Sequence, residues 1–220
     1  MRSITLISTV HAEKGVCTVA ELLRSLESFQ PEVIFLEIPR SDFDEYSKQM
    51  DRWNLEYKAV NLYLETHIDT KLVPVDVHEL PEDFWPNNQR LHERVEALSS
   101  EYRMLMDQNA QHIARHGFAY LNSRFVVEFW SKLDAIMDEV VDKTGEEELQ
   151  RALQVRKDVN EHRETEMMKN IQKHSEAHEF NTGMFLVGAA HGSAIIENSS
   201  NPALTNPAVI AWHFPESPES

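Results

Sequence analysis

Four apolar runs in this chain each hand over to an ionisable side chain. Ser3–Val10 leads into His11, with Glu13 two residues further on, and Val33-Ile34-Phe35-Leu36 leads into Glu37. Lys71–Val75 leads into Asp76 and His78, and Met184–Ala190 into His191. Imidazoles and carboxylates move protons near neutral pH, and they also ligate divalent cations. A single such residue is more often a solvated loop group than a functional one. Four in corresponding places point to a site, because ligands of open parallel sheets bind outside the carboxyl ends of the strands. A cation comes from further along. On a helix over 146–178, Leu149, Ala152, Leu153, Val159, Met167 and Ile171 share one face with Arg156, Asn160, Arg163, Asn170 and His174. A guanidinium turned toward a core is costly unless carboxylates pair with it. Glu37 and Asp76 are therefore the expected partners of Arg163, and Asp76, Arg156 and Asn160 the expected substrate-binding groups.

The elements that must position these groups follow from periodicity. Residues 3–10 read as a buried strand, and Thr18-Val19-Ala20-Glu21 as a capping box opening a helix with Leu22, Leu23, Leu26 and Phe29 at helical spacing. Pro31 stops that helix, and the run 33–36 is a strand covered on both faces. Ser41-Asp42-Phe43-Asp44 caps a second helix expected to reach about residue 66. Residues 71–75 form a third strand, which Pro74 places at an edge or a strand end. A helical stretch follows. Leu91, Val95, Leu98, Tyr102, Leu105 and Ile113 keep one face, Gly117 marks a break, and Phe125, Phe129, Leu133, Ile136 and Val140 keep another. Gly145 opens the next helix, and strands are expected at 184–190 and 208–213. The whole predicts one α/β domain over 1–220. Its sheet is central, mostly parallel (mixed) and of about four to six strands, with flanking helices. Residues 81–178 are a helical insertion forming a cap, and 215–220 a flexible tail.

Composition removes several function classes. With 21 basic and 37 acidic residues the net charge is −16, which disfavours nucleic acid and anionic membrane as partners. There is no G-x-G-x-x-G turn, no G-x-S-x-G elbow and no H-E-x-x-H pair. Gly183 and Gly188 have phosphate-loop spacing, but Ala189-Ala190 stand where Lys and Ser or Thr are needed. One cysteine makes no internal disulfide, and no apolar run has the length of a membrane span. The start of the chain enters a strand pattern at once, so the expected location is cytoplasmic.

Other pairs read as structural. His112 and His116, and His174 and His178, have the i,i+4 spacing of shared metal ligands, but lack an adjacent catalytic Glu and a third ligand. Cys17 precedes a helix start with no base beside it in sequence.

Ser8-Thr9-Val10-His11, Val33–Glu37, Arg163-Glu164-Thr165-Glu166-Met167 and Leu186-Val187-Gly188-Ala189-Ala190-His191-Gly192 together resemble the TraB/TIKI family. That family belongs to a wider group sharing its fold with erythromycin esterases and ChaN-like haem-binding lipoproteins. The family pattern is an early G-x-x-H, a Glu closing the second strand, an Arg on a late helix followed by an Asn, and a late G-x-x-H. Ser8 replaces the first Gly here, and Glu164 stands where Asn is common. For TIKI-like members the resemblance implies a metal-dependent peptidase. His11, Glu37 and His191 would then hold Mn²⁺, Co²⁺ or Zn²⁺, and Arg163 would stabilise charge on the reacting oxygen. An esterase-like member would use His and Glu as base and acid on water without a metal, and a haem-binding or regulatory relative would perform no chemistry. The expected partner is a peptide or small-molecule substrate, with a homodimer formed through the insertion helices as a further possibility.

Overall fold

The computed structural model describes residues 1–46, 54–77 and 80–215. The element order is β1 (Arg2–Thr9), α1 (Val19–Phe29), β2 (Val33–Pro39), α2 (Arg40–Tyr46), α3 (Leu55–Leu64), β3 (Lys71–Asp76), α4 (Phe84–Leu98), α5 (Ser100–Leu121), α6 (Arg124–Thr144), α7 (Glu147–Ala177), β4 (Thr182–Gly188), α8 (Gly192–Asn198) and β5 (Ile210–His213). The five strands form one sheet in the order β3-β2-β4-β1-β5, with every pairing parallel. β3 is an edge strand, as Pro74 requires of a residue with no N–H to donate.

Alternation along the strands splits the core in two. Ile7, Ile34, Leu36, Met184 and Leu186 pack on one face against Leu22 and Leu26 of α1, Tyr57, Val60 and Tyr63 of α3, and Phe118 and Leu121 of α5. Ile4, Leu6, Phe35, Phe185 and Val187 pack on the other against Met167, Met168 and Ile171 of α7 and Ile195 of α8. Both faces are covered, which is why the central runs are continuously apolar. The helices between β3 and β4 have a core of their own, built from Leu91, Val95, Tyr102, Leu105, Leu133, Met137, Leu149 and Leu153.

Three joints in the helices have local causes. Gly117 (φ 53, ψ −135) breaks the helical path of α5 where the sequence predicts a break. A Cβ there would lie 2.6 Å from Glu21 Oε2. Gly145 (φ 65) closes α6 in the left-handed conformation glycine favours. A joint at residue 99 is absent from the periodicity, because Ser99 Oγ caps α5 by accepting from the Tyr102 N–H at 3.1 Å while the apolar spacing runs on through it. Leu98 and Phe125, expected to face inward, are exposed. They are the last residue of α4 and the second of α6, where a helix end leaves its neighbours.

The expected second helix is seen as α2 and α3. It begins at Arg40, so Ser41 lies inside α2. α3 has its own cap, Asn54 Oδ1 accepting from the Tyr57 N–H at 2.9 Å. Residues 47–53, His78 and the tail beyond residue 215 lie outside the described residues. Among the described residues no helix is long and apolar enough to cross a membrane.

Candidate active site

Strands β1, β2, β3 and β4 end side by side, and their terminal ionisable groups meet. Arg163 reaches in from α7. Its Nη2 donates to Glu37 Oε1 and to Asp76 Oδ2, each at 2.7 Å, and its Nε donates to Asp76 Oδ1 at 3.2 Å. The three side chains are only 13, 11 and 5% exposed, so the pairing expected from sequence is present and buried. Glu37 sits on the sheet face that α7 covers, two residues after Phe35, and its Oε2 accepts the Gly188 N–H at 2.7 Å. One carboxylate thus ties β2 to β4 and to α7.

His191, in the turn after β4, stands on the opposite flank of the guanidinium. Its Nδ1 meets Glu164 Oε1 at 2.7 Å, and its Nε2 lies 3.4 Å from Glu37 Oε1 and 3.3 Å from Arg163 Nη1. Burial disfavours an imidazolium here, but the bonds to Glu164 and Glu37 outweigh burial and the Arg163 charge and raise His191 to about 9. Burial likewise pushes the Glu37 carboxyl up. The hydrogen bond and charge of His191, the Arg163 charge and the Gly188 N–H together hold it down at about 2. Glu164, with Glu37 behind it, is therefore what raises His191.

His11 carries a second His–carboxylate pair. Its Nδ1 meets Glu56 Oε1 at 3.0 Å, and Thr9 Oγ1 donates to the same oxygen at 2.6 Å. The His11 side chain is 66% exposed while Glu56 is 9% exposed, so a buried carboxylate orients an imidazole that solvent reaches. The Glu56 bond raises His11 above its ordinary value against burial, and solvent moderates the rise. The His11 ring lies beside Gly188, with Cε1 and Nε2 each 4.0 Å from the place a Cβ there would take.

Glu56 and Asn122 are absent from the sequence reading. Glu56 lies in a stretch read as one long helix, and its signal is an acidic residue between the buried Leu55 and Tyr57. β5 pairs with β1 only from Arg2 to Thr5, and the Asn122 amide extends the ladder beyond that point. The Ser8 N–H donates to Asn122 Oδ1 at 2.7 Å, and Asn122 Nδ2 donates to the Ser8 carbonyl at 3.2 Å. The helical insertion is thus pinned to the strand that carries His11.

The other sequence candidates are elsewhere. Arg156 pairs with Asp134 of α6 at 3.2 Å, within the helical layer and not among the strand ends. Asn160 makes no hydrogen bond to the cluster among the described residues. Asn170 Nδ2 donates to the Val75 carbonyl at 2.8 Å and so fastens α7 to β3. Glu13 accepts the Val19 N–H at the start of α1. The His174 and His178 rings stack at 4.2 Å, and those of His112 and His116 at 5.9 Å. Cys17 is buried, and burial with nearby carboxylates pushes its thiol up to about 12, away from the thiolate that a nucleophile needs.

For a divalent ion the arrangement is a poor host. Both Glu37 oxygens and the His191 Nδ1 are engaged by protein partners, and the His191 Nε2 and Glu37 Oε1 face a guanidinium. Among the described residues no three His, Cys, Asp or Glu side chains come together in a metal-holding group. As placed, the donor set does not fit the ion that the family resemblance implies. Comparison with protein-family models, with curated proteins and with solved structures finds no match to this chain.

Proposed function

We propose that the chain is a hydrolase of esters or peptide-like amides that works by His/Glu acid–base chemistry on water, as the resemblance to the esterase-like relatives admits. The observation that carries this reading is the pairing of two differently placed imidazoles, an exposed His11 held by Glu56 and a buried His191 held by Glu164. Glu56 accepts the His11 Nδ1–H and leaves the Nε2 lone pair for a water proton. The resulting hydroxide attacks the carbonyl carbon. With Nδ1 held by Glu164, His191 has only Nε2, whose approach to Glu37 is a long 3.4 Å, to offer the oxygen that gains charge. From that nitrogen it then protonates the leaving oxygen or nitrogen as its bond to carbon breaks. Arg163 gives its Nε and Nη2 to Glu37 and Asp76 and turns its Nη1 to His191, so its part is to hold Glu37 and His191 in place. The expected setting is the cytosol and the expected partner a small-molecule or peptide substrate.

The test is an ester and peptide panel assayed on chelated protein. Turnover that survives chelation and falls at least a hundredfold in His11→Ala and Glu56→Gln supports the reading. Activity that appears only after Mn²⁺ or Co²⁺ is returned would move the assignment to a metal-dependent peptidase. Tight ligand binding with no turnover on any substrate would leave a binding protein.

A further inference from the structure

Arg156 is a second largely covered guanidinium on α7, and its bonding is incomplete. Its side chain is 11% exposed, yet the partner found for it among the described residues is Asp134 alone, through one Nη1 bond of 3.2 Å. A guanidinium offers five N–H donors in a fixed fork matched to carboxylate, so most of this fork is unspent. Trp130 lies one turn before Asp134, the partner of Arg156, on the same face of α6, and its Nε1–H is buried without a partner. His92 of α4 meets the Tyr102 hydroxyl at 2.7 Å through Nδ1. Burial and then the Arg156 charge hold that imidazole below its ordinary value. Tyr102 thus engages the Nδ1 of this ring, and Nε2 is the nitrogen left to face a ligand.

Asn160 lies one turn beyond Arg156, and Asn88, with a buried Oδ1 that no donor reaches, one turn before His92. α6 and α7 are joined through Gly145 and run antiparallel, and Arg94 of α4 pairs with Glu146 at the start of α7. These one-turn steps therefore all lead toward Arg163.

We propose that Arg156, with Trp130 and His92, binds a carboxylate of the substrate. The direction of that substrate rests on the hydrolase reading; the binding itself does not. Arg156 and Arg163 are seven residues apart on one helix face, about 10 Å along the axis. An extended chain of about three residues spans that length. The substrate class is thus a short peptidyl or acyl chain ending in a carboxylate, its scissile carbonyl at the strand ends. The chain's net charge of −16 repels anions at range, so this recognition depends on close bonds and persists at high salt, where the repelling field is screened.

The experiment titrates the full chain with acetyl-trialanine and with its C-terminal amide, followed by calorimetry and by tryptophan fluorescence. The free acid should bind at least tenfold tighter than the amide. Arg156→Gln should abolish that preference with the far-ultraviolet spectrum unchanged, and Trp130→Phe should reduce it severalfold. Should Arg156→Gln not fold, Arg156→Lys keeps the charge without the fork and should retain only part of the preference. Equal affinity for acid and amide, binding of neither, or a preference that survives replacement of Arg156 overturns the proposal. Acid preference without turnover upholds the carboxylate subsite and removes the hydrolase reading, and turnover without the preference does the reverse.

Discussion

Replacing Arg163 with Ala removes one cation from between two buried carboxylates. Its bonds to Glu37 and Asp76 are 2.7 Å each, and the partners are 11 and 5% exposed. Breaking such a pair from one side leaves the other charges uncompensated and costs about 3–5 kcal/mol. Against burial, Glu37 is held at about 2 instead of 4.5, first by His191 and then by Arg163 and the Gly188 N–H, so removing Arg163 forfeits part of that depression and not all of it. For a chain of this length each kcal/mol moves the melting temperature by about 2–4 °C, so Arg163→Ala should melt about 6–20 °C lower at pH 7. The sign with pH follows from the depressed carboxyl. Its contribution is fully present above the ordinary carboxylate value and is lost as pH falls toward 2. The gap between wild type and variant should therefore narrow on acidification from pH 5 to pH 3, as read by scanning calorimetry. Adding Glu37→Gln and Asp76→Asn to Arg163→Met should recover most of the loss, because no buried charge then remains unpaired. An unchanged melting temperature, or a gap independent of pH, would refute the argument.

The remaining expectations concern the same framework. His191, raised to about 9, contributes stability that is complete below pH 6.5 and is lost as pH rises through 9. This is a loss on the order of 3 kcal/mol, and NMR titration of Glu164→Gln should show the His191 midpoint displaced downward. Asn122→Leu strands the Ser8 N–H and carbonyl at the end of β1, and urea unfolding should report a loss of about 1–3 kcal/mol per stranded group. Gly192→Ala would place a Cβ 2.7 Å from Ser8 Oγ; it should lower the melting temperature, and Ser8→Ala in the same chain should restore most of it.

Much of this was legible in the sequence because it depends on periodicity and on strand ends. Continuous apolar runs gave the strands, Pro74 the edge position of β3, and Gly117 and Gly145 two of the helix joints. The meeting of His11, Glu37, Asp76 and His191 followed once the strands were taken as parallel, and Arg163 followed from the cost of an unpaired guanidinium on an apolar face. Glu56, Asn122 and the role of Glu164 were not legible. Each acts across the fold on a residue far away in sequence, and no spacing rule links position 56 to 11, 122 to 8 or 164 to 191. Arg156 shows the opposite limit. It shares a helix face with Arg163, but α7 is long enough that its first half belongs to the helical layer and its second half to the sheet.

The place of β4 in the sheet bears on how the chain is made. Leu6 pairs with Phe185 and Phe35 pairs with the same strand, so the centre of the sheet is its fourth strand to be synthesised. β1 and β2 are neighbours in sequence but not in space, and the slot between them stays empty until residue 188 has emerged. Joining the two ends of the sequence carries a large loop-closure cost before any of the central pairing is formed. Folding should be slow for a chain so rich in helix, and its final step should be the docking of β4. Synthesis halted before that strand would leave β1 and β2 each with an unpaired apolar edge, a template for pairing with other chains.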